Sequence, residues 1–190
     1  MKESAVKNVR IWAVVALLIV SCFALLACQS EEDALRAKAD SDLAEVKNIN
    51  DESLSQMVDE MGVDSTLEMF QIDSKELLKS WLEGFDYSVD DVKVDGDTAT
   101  VTATLHYKSL EEAMTNWQTE FTTLLTDESV ANMTEDELYK AAGVMLMDCI
   151  NEASMTSSTV DIPYEKVSGT WDASSDAESV LSEAFAGSLA

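Results

Sequence analysis

"FDYSVDDVKVDGDTATVTATLHYKS", residues 85–109, decides the fold. Phe85, Tyr87 and Val89 alternate with polar neighbours, and Val92 and Val94 then alternate on the opposite parity. Successive strand side chains point to opposite faces, so the change of parity needs one extra residue and predicts a β-bulge at Asp90–Asp91. Asp95–Gly96 predicts a type I′ turn, which needs positive φ at both central positions. Beyond it Ala99, Val101, Ala103, Leu105 and Tyr107 share one face, and Thr98, Thr100, Thr102, Thr104 and His106 share the other. The spacing gives a hairpin over 85–108 with an apolar face for helices and a threonine-rich face for water.

Upstream the period is helical. Leu35, Ala39, Leu43 and Val46 predict a helix over 34–48. Leu54, Met57, Val58 and Met61 predict a second one, stopped by Gly62. After a short helical piece at "STLEMF" (65–70), Asp73 and Glu76 read as a capping box for a stripe of Leu77, Leu78, Trp81 and Leu82 that ends at Gly84.

Downstream, Ser109 and Glu112 cap a helix through Ala113, Trp117, Phe121 and Leu125, and a loop or short helical link follows. Thr134 and Glu137 then cap a helix through Leu138, Ala142, Met145 and Ile150. Val160, Ile162 and Tyr164 return to strand spacing, with a turn near Ser168–Gly169 and Pro163 suited to an edge or bulge. Ser175 and Glu178 open a last helix through Val180, Leu181, Ala184 and Phe185. Helices segregated from an antiparallel sheet define an α+β fold. We expect a curved sheet of about four strands, built from the hairpin 85–108 and strands near 157–173. Helices pack on one side of it, and a helical pair is inserted over 109–153.

The N-terminus reads differently. Lys2, Lys7 and Arg10 precede an apolar run from Ile11 to Ala27, and Glu31, Glu32 and Asp33 follow closely. That order is the order of a secretory signal, and the run is a little short for a comfortable membrane span of about 20 residues. Leu25-Leu26-Ala27-Cys28 resembles the lipobox of bacterial lipoproteins. The resemblance implies cleavage between Ala27 and Cys28 and acylation of the Cys28 thiol with palmitate-type chains. Two or more such chains hold stably, where a single one binds marginally. The expected organisation is a lipoprotein signal peptide over 1–27, a polar tether over 28–33 and one domain over 34–190. Its location is then the extracytoplasmic face of the bacterial cell membrane.

Charge narrows the partners. The chain has 37 acidic and 12 basic side chains, a formal net charge of −25. Such a surface repels phosphate backbones, which excludes nucleic-acid binding, and anionic headgroups as well. Outside the signal the cysteines are Cys28 and Cys149; with Cys28 acylated, no intramolecular disulfide is expected.

Candidate chemistry is sparse. Asp91, Asp95 and Gly96 fit the register of a calcium loop, but Lys93 and Thr102 stand where oxygen ligands belong, and the hairpin accounts for Asp95–Gly96. Met145, Met147 and Cys149 would share a face on a strand, but on a helix Met147 points away, so no metal site is assigned. His106 is the only histidine, and an exposed position at the strand end suits it. Trp81, Trp117 and Trp171 fall on apolar stripes or a strand end, where packing explains them. No cofactor is implied and no catalytic residue is assigned.

The hairpin segment, taken with "VSGTWDASSDAESVLSEAFAGSL" (167–189), resembles a group of small bacterial surface lipoproteins with a cystatin-like or nuclear-transport-factor-two-like α+β fold. The matching positions are Val94 to Val101 and Gly169 to Trp171. The helical pair between the second and third strands departs from the simplest members, and would fill or roof the pocket of that fold. The reading is a lipid-anchored binding or cell-envelope interaction module. Its partners are membrane lipid through Cys28 and an unidentified small ligand or envelope protein. The alternative is an enzyme of the cone-shaped fold, with a buried acid or His106 as general base.

Overall fold

A computed structural model describes residues 31–61 and 64–186. The expected signal segment, the expected cleavage site Ala27–Cys28 and the expected stop at Gly62 lie outside the described residues. Helix α1 covers 31–47, α2 is Asp51–Met61, α3 Asp64–Met69 and α4 Ser74–Trp81. Strands β1 (Asp86–Asp95) and β2 (Thr98–Lys108) come next, then α5 (Leu110–Leu125) and α6 (Glu135–Glu152). The chain closes with β3 (Met155–Val167), β4 (Thr170–Ala173) and α7 (Ala177–Ala186). The four strands form one antiparallel sheet in sequence order, β1-β2-β3-β4.

The sheet follows the two-residue period closely. Ala99, Val101, Ala103, Leu105 and Tyr107 are buried, as are Val160, Ile162 and Tyr164 opposite them. Register shifts between Val89 and Asp91, so Asp90 is the bulged residue. The turn is displaced by one residue from expectation. Asp95 pairs with Thr98, which leaves Gly96 and Asp97 at the centre, and of these only Gly96 has positive φ (65°). That is the type II′ pattern; the type I′ pattern belongs to the second hairpin, where Ser168 (54°) and Gly169 (86°) are both positive.

Three apolar clusters meet. In the main one, Leu35, Ala39 and Leu43 of α1 lie on the apolar sheet face with Phe85, Trp171 and Ala177. Phe185 of α7 is anchored edge-on by Trp81 and Tyr107, at ring-centroid distances of 5.5 and 5.1 Å. A second cluster joins Ala113 of α5 to Cys149 and Ile150 of α6, and a third joins Leu54 and Val58 of α2 to Leu78 of α4. Trp81 borders all three. The inserted pair builds its own core and contributes no residue to the sheet's cluster. The apolar sheet face is filled by α1 and α7 instead.

Local ends differ from expectation in four places. Residues 31–33 are already helical, so the tether gives way to α1 earlier; Glu31 holds Lys166 of β3 at 2.6 Å, which ties this turn to the sheet. Asp73 accepts the amides of Lys75 and Glu76 without a return bond from Glu76. Ser109 caps α5, but the Glu112 carboxylate turns away to the Ser154 amide and hydroxyl, at 3.2 Å each. Before α7, Ser174 rather than Ser175 receives the amides of Asp176 and Ala177. Thr134 and Glu137 do form the reciprocal box.

Candidate binding groove

β3 outruns its partner on one side. It pairs with β2 from Met155 to Glu165, but with β4 only from Tyr164 to Val167. The direction of the backbone groups follows from two bonds. Lys166 donates its amide to the Asp97 carbonyl on the β2 side (2.8 Å), and the Pro163 carbonyl accepts the Ser174 amide on the β4 side (3.0 Å). In an antiparallel ladder these directions alternate, so Ser157, Thr159 and Asp161 aim both N–H and C=O away from β2. No strand among the described residues covers that edge. Pro163, which lacks an N–H, stands where β4 begins to cover it, an edge position as its chemistry requires.

A groove of about 850 Å³ lies along this edge. Val160, Val180, Ala184 and Phe185 give it apolar lining, and Glu111, Asp161 and Glu183 are its charged residues; no basic side chain lines it. Tyr107 supports the α7 wall through a hydrogen bond from its hydroxyl to the Ala184 carbonyl. The other edge of the sheet is less open. The Arg36 guanidinium donates to the Val89 carbonyl, and the Tyr87 hydroxyl donates to the Asp40 carbonyl at 2.8 Å, so α1 straps β1.

The other candidates fall apart in space or lie in ordinary packing. Asp91 and Asp95 sit in β1, with Asp91 held by Lys93 at 3.2 Å. Cys149 is buried on α6, where burial and the nearby carboxylates of Glu120, Glu152 and Asp148 push its thiol up. Among the described residues no group of three or more His, Cys, Asp or Glu side chains is placed to hold a metal ion. His106 is exposed, opposite Asp86 and Ser157. The threonine face carries its own hydroxyl network, in which Thr102 donates to Asp161 (2.7 Å) and Thr104 to Asp90 (2.6 Å). The bonds from Thr104 and Ser88 hold the Asp90 carboxyl below the usual carboxylate range. Trp117 donates its indole N–H to the Ala142 carbonyl (2.9 Å), and Trp171 lies in the core under the Lys166 ammonium.

The single buried charged residue among the described ones is Lys108. No carboxylate is buried there, and no buried side-chain nitrogen or oxygen lacks a partner. The alternative enzyme thus finds no internal acid in this part of the chain. The open β3 edge, by contrast, is not legible from periodicity. Its one signal is length: β3 needs 13 residues and β4 has four before Ser174–Ser175.

The sequence matches no family model and no curated protein. The structure resembles that of "a putative lipoprotein (ycdA)" from Bacillus subtilis subsp. subtilis str. 168, with a TM-score of 0.52 at 16% identity. The likeness covers 81% of this chain but 55% of the other, so this chain spans about half of that protein's length. The two share an α+β fold. No helix among the described residues is long and apolar enough to cross a membrane.

Proposed function

We propose that this chain is a lipid-anchored, extracytoplasmic binding module of the cell envelope, with the groove beside β3 as its contact surface. The observation that carries the anchor is Leu25-Leu26-Ala27-Cys28 at the end of an apolar run behind Lys2, Lys7 and Arg10. The fold shared with a protein described as "a putative lipoprotein" agrees with it. Cleavage before Cys28 leaves residues 28–30 as the polar lead into a domain that repels anionic headgroups and stands off the bilayer. The packed apolar face favours binding over catalysis. Intact mass of the membrane-extracted protein tests the anchor. A mass beginning at Cys28 plus acyl chains, lost in Cys28→Ala, is expected; a mass that still includes residues 1–27 overturns it.

A further inference from the structure

We propose that the open edge of β3 takes an extended, lysine- or arginine-bearing peptide segment of another protein as an added strand. The inference deepens the binding-module reading and rests on it. Ser157, Thr159 and Asp161 offer three pairs of backbone donors and acceptors on one edge, in line with β4. At about 3.3 Å per residue, 157–161 spans about 17 Å, the length of five or six extended residues. Unpaired strand edges of this kind are templates for another chain, and main-chain bonds supply the affinity. Alternate side chains of the incoming strand would lie on Val160, Val180 and Ala184.

Charge selects the occupant. Glu111, Asp161 and Glu183 line the groove and no cation does, so a basic segment is attracted and an acidic one repelled. The same rule acts against a second copy of this chain, which would bring Asp161 and Glu183 to their own like. β1 is the poorer edge, because Arg36 already occupies the Val89 carbonyl.

The test uses the detergent-extracted protein and a capped hexapeptide alternating lysine and valine. Anisotropy of the labelled peptide measures affinity, and amide exchange is followed at Ser157, Thr159 and Asp161. Saturable binding that weakens with salt and slows exchange at those three amides is expected. Thr159→Pro removes one outward N–H and leaves the β2 ladder whole, as Pro163 does naturally, and should weaken binding about tenfold. Asp161→Lys should weaken the lysine peptide and favour its glutamate counterpart. A peptide N-methylated at every residue, which has no N–H on either edge, should not bind.

Absence of binding overturns the proposal, and so does equal binding by the N-methylated peptide or by a Thr159→Pro protein with native circular dichroism. A concentration-dependent dimer abolished by Thr159→Pro makes a second copy the occupant and overturns it too. Intact mass on the same preparation keeps the two readings apart. Lost binding by a protein that begins at an acylated Cys28 sinks the groove alone, and an uncleaved chain sinks the anchor alone.

Discussion

The Trp81 indole donates to the carbonyl of Lys108 across 3.2 Å, and the Lys108 ammonium reaches back to Glu83, two residues beyond Trp81, at 3.0 Å. The end of α4 and the end of β2 are thereby clasped together. Lys108 also donates to the Asn151 carbonyl in the last turn of α6, a turn with no basic residue of its own. A cation is favoured there, because the last carbonyls of a helix lack partners and carry partial negative charge.

Trp81 borders all three apolar clusters, so its loss should be felt by the whole domain. Trp81→Ala should cost about 3 kcal/mol, the low end for a tryptophan because the ring is only partly buried. Trp81→Phe keeps most of the apolar contact and leaves the Lys108 carbonyl short of a donor, at about 1 kcal/mol. Urea midpoints with an unchanged slope would read these values. A loss below about 0.5 kcal/mol for Trp81→Ala would show that the clusters are held together elsewhere.

Gly143 faces the backbone of Phe70, where the chain turns from α3 toward α4. A Cβ added at Gly143 would overlap the Phe70 carbonyl oxygen and press on Ile72. In an exposed helix Gly→Ala gains about 1 kcal/mol, but here the obstacle is backbone and has no rotamer to escape into. Gly143→Ala should therefore lower stability by about 2 kcal/mol, as overpacking does. Thermal melts decide the sign. A stabilised Gly143→Ala would mean that α6 and this turn are not in contact.

How far these relationships could be read beforehand depends on their range along the chain. The bulge at Asp90, the buried face of β2 and the Thr134–Glu137 cap involve neighbours within a few residues, and local period and capping chemistry express them. Glu112 fits the same capping pattern, yet its carboxylate goes to Ser154, 42 residues on, because the start of β3 is brought beside it. The buried Lys108 bonds to Glu83, in the turn after α4, and to Asn151 of α6, and nothing local to "HYKSL" (106–110) announces it. The hairpin turn moved by one residue because pairing of Asp95 with Thr98 fixes the register, and Gly96 serves either turn type. The proposed anchor stands apart, because it rests on a local motif, Leu25-Leu26-Ala27-Cys28, that is readable only in sequence.

Alkaline pH should reveal the buried tyrosines. Burial, then the Asp42 carboxylate that accepts its hydroxyl at 3.1 Å, pushes Tyr164 well above the ordinary tyrosine value. Burial raises Tyr107 and Tyr87 as well, with Asp40 adding to the shift at Tyr87. The folded values exceed the unfolded one of about 10, so the unfolded chain ionises first. This contribution is complete below about pH 10 and is lost as pH rises through the folded values. Tyrosinate absorbance of the folded protein should lag behind that of the urea-unfolded protein. Coincident curves would show that these hydroxyls are open to solvent.

A thiol count tests the domain core and the proposed anchor together. If the chain is cut before Cys28 and that sulfur is acylated, Cys22 is gone and Cys149 is the one thiol left to titrate. Cys149 is 4% exposed, and burial followed by the carboxylates around it raises its pKa, so little reactive thiolate forms at neutral pH. Reaction with a disulfide reagent should wait for local opening of α6 and run at least about a hundredfold slower in the native protein than in urea. In urea one equivalent is expected from the acylated protein and two from a chain cut before an unmodified Cys28. Prompt reaction of the native, acylated protein would place Cys149 at the surface and break the α5–α6 core described above. Two equivalents from membrane-extracted material would leave that core intact and remove the lipid from Cys28.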